Sequence, residues 1–139
     1  MKIFKIILST ILLLFTSSCS DSATETDSTE LLNTLWVLKA FEVNGMLDIP
    51  PDDQVYNIQF NEDNKFTGRN DCNNISGNFS LNLNNITMDN LTTTEAYCGK
   101  ESLDYRYFEA LIVAEFYKIE KNELTIYYQT NSKLIFIGE

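Results

Sequence analysis

Few residues in this chain have side chains that could do chemistry, and its three cysteines are the first to weigh. Cys72 and Cys98 lie about 26 residues apart, and neither has a second ligand at CxxC-like spacing. Cys19 stands apart, at the end of an apolar run. The chain contains no histidine. That removes the commonest general base and the commonest metal ligand. It also excludes a Ser-His or Cys-His nucleophile pair within one chain. The 20 acidic residues could supply a carboxylate pair for glycoside hydrolysis, but no motif positions two of them. The Asn61–Asn64 and Asn70–Asn74 runs offer oxygens for Ca²⁺, yet neither carries the D-x-[DN]-x-[DN]-G pattern of a calcium loop, and turn chemistry accounts for them better. No catalytic, metal-binding or cofactor-binding residue is assigned, and the chain is read as a non-enzyme.

The N-terminus specifies a location. Lys2 and Lys5 precede the apolar stretch Ile6–Phe15, and Thr16, Ser17 and Ser18 are small. This is the order of a signal peptide: positive, apolar, then small at the cleavage site. The apolar stretch is too short for a bilayer span, which takes roughly 20 residues. A cysteine directly after such a site resembles the lipobox of bacterial lipoproteins, with Thr16 where Leu is usual. The resemblance implies removal of residues 1–18, lipidation of Cys19 and a lipid-anchored chain in the cell envelope, at the outer membrane, facing the periplasm or the surface. Ordinary secretion is the alternative. Residues 20–30 hold no large apolar side chain and are expected to be a disordered acidic tether. Loss of Lys2 and Lys5 would move the net charge from −10 to −12. Such a chain has no basic stripe for nucleic acid, and its membrane contact must come from acyl chains and not from charge.

With Cys19 lipidated, an even pair of cysteines remains. In an exported protein this suggests one Cys72–Cys98 disulfide. Two buried free thiols, or a reactive or metal-binding pair, are the alternatives. From Leu31 onward the chain reads as one domain of short strands. Leu35–Val43 is almost continuously apolar. Val55–Phe60 alternates, with Tyr56, Ile58 and Phe60 on one face. Met46–Gln54 holds both prolines and reads as a loop. Strands are expected over 65–69, 75–81, 86–88, 91–94, 113–120, 123–128 and 133–137, with turns between them. Glu101–Ile112 is the one helix, with Leu103, Tyr107, Ala110 and Leu111 forming its apolar stripe. The expected architecture is mainly β (α+β): an antiparallel curled sheet or partly open barrel of about eight strands, with one helix packed against it.

Several residues recur in a recognisable order. Trp36-x-Leu38 opens the domain. Phe60, Gly68, Cys72, Asn73, Gly77 and Phe79 follow as F, then G-x-x-x-C-N-x-x-x-G-x-aromatic. Ile86, Met88, Leu91, Thr94 and Cys98 come next, and Leu124, Ile126, Leu134 and Phe136 close the set. In this, residues 31–139 resemble the META domain of the HslJ-like heat-shock envelope lipoproteins. Asp71 replaces a small residue of that pattern, and Glu95-Ala96-Tyr97 replaces a basic-Met-Ala run. The resemblance implies a stress-related envelope role. The residues themselves imply a connection from Gly68 to Gly77 that turns sharply, with Asn73 in left-handed backbone satisfying turn amides and Cys72 stapled to the segment before the helix. Two kinds of partner fit: an envelope protein or glycan met by an exposed face of the tyrosine-rich C-terminal half, or a protease-like target of an inhibitory loop at Pro50 and Pro51, whose prolines lower the ordering cost of binding.

Overall fold

The computed structural model describes residues 28–139. The expected signal peptide, Cys19 and most of the tether lie outside the described residues. Ser28–Leu31 (α1) is a single helical turn, and it includes three residues that the sequence reading placed in the tether. Nine strands follow: β1 (Leu35–Val43), β2 (Met46–Asp48), β3 (Tyr56–Phe60), β4 (Lys65–Asn70), β5 (Asn73–Asn82), β6 (Asn85–Thr93), β7 (Ala114–Glu120), β8 (Glu123–Tyr128) and β9 (Ser132–Gly138). The helix α2 (Asp104–Ile112) lies between β6 and β7.

All neighbouring strands are antiparallel, and β1 also pairs with β9 along its length. This closes eight strands into a barrel, which leaves no free sheet edge there. β2 stands outside the barrel, paired only to the end of β1 through Phe41, Glu42 and Val43. The short strand corrects the reading of Met46–Gln54 as a loop: the Asn44-Gly45 turn, with both residues at positive φ, folds Met46 back onto Val43. The loop itself is confined to the residues after Asp48. The expected pair of strands at 86–88 and 91–94 is one strand, β6. Asn90 there takes a left-handed backbone (φ 51°) where the pairing with β5 slips by one residue, so the polar break is a bulge rather than a turn. The barrel's narrowest seam is β6–β7, joined by the single pair Asn85–Phe116 and by the Tyr117 N–H to the Asn84 carbonyl (2.9 Å).

Alternation decides what fills the barrel. Tyr56, Ile58 and Phe60 of β3 and Leu134 and Phe136 of β9 point inward and are buried. On α2, which starts at Asp104, three residues later than expected, Tyr107, Ala110 and Leu111 are buried. Tyr107 plugs one end of the barrel. Its ring meets Tyr56 at 5.4 Å, Phe136 at 6.3 Å and Phe41 at 6.4 Å between centroids. The contacts with Tyr56 and Phe41 are edge-to-face, a geometry that adds about 0.5–1.5 kcal/mol each beyond the area they bury.

The two glycines flanking the cysteine sit where strands approach closely. A Cβ on Gly68 would lie 2.1 Å from the Asn57 carbonyl oxygen, and one on Gly77 would lie 2.8 Å from the Phe66 ring. They do not frame one sharp connection. Both lie within paired strands, and the turn between them is the short Asp71-Cys72 link from Asn70 to Asn73.

Candidate functional site

The two ends of the barrel differ. The chain enters at one end. There the Trp36 indole N–H donates to the Leu31 carbonyl (3.0 Å), and Trp36 faces Gly138 at the end of β9. β1 then runs to Val43, eight steps of about 3.3 Å, or about 26 Å away. At that far end lie the β1–β2 turn, the Gln129–Asn131 turn (Asn44 N–H to Asn131 carbonyl, 2.8 Å), the Asp71-Cys72 turn and α2.

Cys72 and Cys98 form a disulfide there, with their Cα atoms 5.5 Å apart. It binds the β4–β5 turn to the irregular segment between β6 and α2. Asn73 fastens the same segment a second time. Its Oδ1 accepts the Ala96 N–H (2.8 Å) and the Thr94 hydroxyl (2.9 Å), and its Nδ2 donates to the Ala96 carbonyl (3.0 Å). Thr94 Oγ1 in turn accepts the Asn74 N–H (3.0 Å). The left-handed residue of the turn is Asp71 (φ 57°), not Asn73. The reason is directional: Asn73 is the first residue of β5, so its side chain points inward to the far segment, and a short acidic side chain tolerates the strained position. Cys72, Cys98, Asn73 and Thr94 therefore converge, whereas Gly68 and Gly77 lie along the strands and Trp36 lies at the opposite end.

Pro50 and Pro51 follow β2. Their loop is braced at its base. The Gln54 side chain donates to the Glu101 carbonyl (2.9 Å), and the Tyr56 hydroxyl donates to Gln54 Oε1 (2.7 Å) while accepting the Leu103 N–H (2.8 Å). Asp48 at the end of β2 is ion-paired with Arg106 of α2, whose guanidinium lies 4.3 Å from the Phe41 ring centroid. Between these braces the hairpin exposes apolar side chains: Met46 (70% exposed), Leu47 (59%) and Ile49 (69%). Burial pushes the phenol of Tyr107 well above its ordinary pKa, and that of Tyr56 upward despite its hydrogen bonds. These hydroxyls are structural posts in their neutral form.

The tyrosine-rich half divides between core and surface. Tyr107, Tyr117 and Tyr128 are buried; Tyr97 and Tyr105 are exposed. Tyr127 points outward and stacks on Phe116 at 4.2 Å between ring centroids. The pair continues a row across the outer face through Lys133 and Glu42 (ion pair, 3.1 Å) to Leu47, each residue registered opposite the next. A second feature is a cleft of about 350 Å³ beside the disulfide segment. Asn70 lies in its floor, and Tyr97, Tyr105 and Phe108 stand around it. The oxygens of the Asn70–Asn74 run, which the sequence reading assigned to turn chemistry over a cation site, do not converge on one point, since Asn70 and Asn73 face inward and Asn74 faces solvent. Sequence reasoning weighed Asn70 only as a turn residue and missed its burial, which follows from continuing the β4 alternation through Phe66 and Gly68. It also missed the Asp48–Arg106 brace, which no local spacing announces.

Residues 29–139 match the META domain family, and the chain belongs to that family. Among solved structures, the NMR structure of a protein from Burkholderia xenovorans superposes with a TM-score of 0.70 at 17% identity, over 81% of this chain and 86% of that one. A DUF4847 family protein from Bacteroides vulgatus gives a TM-score of 0.63 at 19% identity, over 79% and 95%. A third protein, solved by NMR, gives 0.61 at 25% identity, over 78% and 92%. These likenesses establish the same fold. No curated protein matches the chain at a significant level.

Proposed function

We propose that this META domain is a non-catalytic contact module of the bacterial envelope. Acyl chains on Cys19 hold it at the membrane, and a tether of residues 20–27 spaces the barrel from the lipid. It docks another envelope component with the end farthest from its anchor. The observation that carries this reading is the exposed apolar hairpin of Met46, Leu47 and Ile49, at the opposite end of β1 from where the chain enters. Exposed apolar side chains grouped on a braced element suit a protein partner. The test is crosslinking mass spectrometry in intact cells. The wild-type chain should capture a defined neighbour through β2 and the following loop, and a Leu47→Asp/Ile49→Asp variant should lose it while keeping its fold. Capture that is unchanged in the variant refutes this face as the docking site. Cys19→Ala should release the chain from the membrane fraction, and continued membrane association would remove the acyl anchor from the scheme. The heat-shock resemblance suggests a contribution to envelope integrity under stress. A deletion strain that survives heat and envelope-active drugs like the parent would remove it.

A second reading is a protein-binding inhibitor presenting Pro50 and Pro51. It is favoured by the bracing of that loop through Gln54 and Glu101. Replacing both prolines with alanine should then weaken capture of a protease-like target; retained capture counts against it.

A further inference from the structure

The two sulfurs of the Cys72–Cys98 bridge sit in unequal surroundings. Cys72 lies in the short turn between β4 and β5 and is exposed, whereas Cys98 is half-buried. The Asn73 Nδ2 donates to Cys98 Sγ (3.2 Å) as well as to the Ala96 carbonyl (3.0 Å). Among the described residues no N–H or O–H is directed at Cys72 Sγ. The Ala96 carbonyl oxygen lies 3.8 Å from Cys72 Sγ and 3.6 Å from Cys98 Sγ, so it does not tell the two apart. A hydrogen bond to sulfur strengthens as that sulfur takes on negative charge. In thiol–disulfide exchange the departing sulfur does so. The rate of exchange rises with access to the attacked sulfur and with the stability of the departing thiolate. Exposure favours attack at Cys72, and Asn73 favours departure of Cys98. Both select the same direction.

We propose that Cys72 is a site of reversible modification by a low-molecular-weight thiol, with Asn73 setting the direction of exchange. An incoming thiolate, R–S⁻, attacks Cys72 Sγ. The R–S–S–Cys72 bond forms as the Cys72–Cys98 bond breaks. The electron pair of the broken bond stays on Cys98 Sγ, which leaves as a thiolate beside the Asn73 N–H. The incoming sulfur is oxidised and Cys98 is reduced, so no other reactant is needed. The released Cys98 is kept close. Asn73 holds Ala96, two residues before it, through both its N–H (2.8 Å) and its carbonyl, and holds Thr94 through its hydroxyl (2.9 Å). Cys98 therefore stays near the mixed disulfide and expels R–S⁻ by the reverse step once free thiol is withdrawn. The site is independent of the docking hairpin and is tested without membrane or partner.

The test uses purified, oxidised protein carrying Cys19→Ala, which removes the third thiol. Reduced glutathione or 2-mercaptoethanol is added, N-ethylmaleimide stops the reaction at early times, and peptide mass mapping locates each adduct. The pattern with the thiol on Cys72 and maleimide on Cys98 should exceed the opposite pattern by about five- to tenfold. Both thiols should give the same direction, because the surroundings of the two sulfurs set it and not the carrier. Asn73→Asp keeps an acceptor for the Ala96 N–H and the Thr94 hydroxyl but has no N–H for sulfur. It should slow exchange and lower the ratio by at least about threefold. Without maleimide, gel filtration away from the thiol should restore the bridge and remove the adduct. Absence of any adduct overturns the proposal. So do equal adducts at the two cysteines, an adduct chiefly on Cys98, or a wild-type ratio retained in Asn73→Asp. Such a failure leaves the hairpin contact standing, since that reading is tested through Leu47 and Ile49.

Discussion

Reduction of Cys72–Cys98 measures how the far end of the barrel is held. The bridge closes a loop with a sequence separation of 26 residues. In the chain-entropy model that loop is worth about 3.5 kcal/mol, through the freedom it removes from the unfolded chain. A domain of this size has a total stability of about 5–15 kcal/mol, so the loss is a large fraction. Taking an m value near 1.3 kcal/mol/M in urea, a Cys72→Ala/Cys98→Ala variant should unfold at a urea concentration about 2–3 M lower. The native structure adds a second expectation. The segment from Thr94 to Cys98 is also held by Asn73 through Ala96, so it should stay docked without the bridge. Hydrogen exchange at the Ala96 amide should therefore remain protected in the disulfide-free variant, up to its lowered global stability. Adding Asn73→Ala should abolish that protection and cost about another 3 kcal/mol, since the side chain makes three hydrogen bonds worth about 1 kcal/mol each. A midpoint within about 0.5 M of the oxidised protein would refute the entropic staple. Loss of Ala96 protection on removing the bridge alone would refute Asn73 as an independent fastening.

Gly68→Ala places a methyl 2.1 Å from the Asn57 carbonyl oxygen; the backbone must move, so thermal unfolding should show a loss of about 2–3 kcal/mol, and an unchanged midpoint would contradict the close approach of β3 and β4. Tyr56→Phe leaves the Leu103 N–H without its acceptor and Gln54 Oε1 without its donor, so it should cost about 1–2 kcal/mol and speed proteolysis in the 49–55 loop, whereas wild-type cleavage there would argue against the brace. Tyr107, Tyr56 and Tyr128 all have pKa values raised in the fold above the ordinary value of 10.0, chiefly by burial. Their contribution is complete below pH 10.0 and is lost as pH rises through the folded values, because the unfolded phenols then release protons that the folded ones retain. Urea midpoints should therefore fall steeply above about pH 10, and Tyr107→Phe should flatten that fall; a slope unchanged by the substitution would show that Tyr107 is not the group responsible.

Much of this fold could be read from side-chain order. Leu35–Val43 and Glu123–Tyr128 were bounded as the structure has them, because apolar density and flanking turns are local signals. The alternation of Tyr56, Ile58 and Phe60 fixed a buried face for the same reason. Errors came where a long-range partner overrode a local cue. Two prolines suggested a loop, yet Met46–Asp48 pairs with β1 ahead of them. Asp89-Asn90 suggested a turn, yet β5 holds both flanks in one strand and makes Asn90 a bulge.

The sequence by itself determined a single META domain of antiparallel strands with one helix, and an even pair of cysteines beyond Cys19 that suggests one bridge, since pleat alternation, helical periodicity and cysteine number are properties of the chain alone. Only the tertiary structure decided that β1 meets β9 to close the barrel, that Asn73 grips Ala96, and that Asn70, Tyr97 and Tyr105 line one cleft. Those are meetings between residues distant in sequence, and their geometry is set by register and strand stagger, which no local pattern encodes.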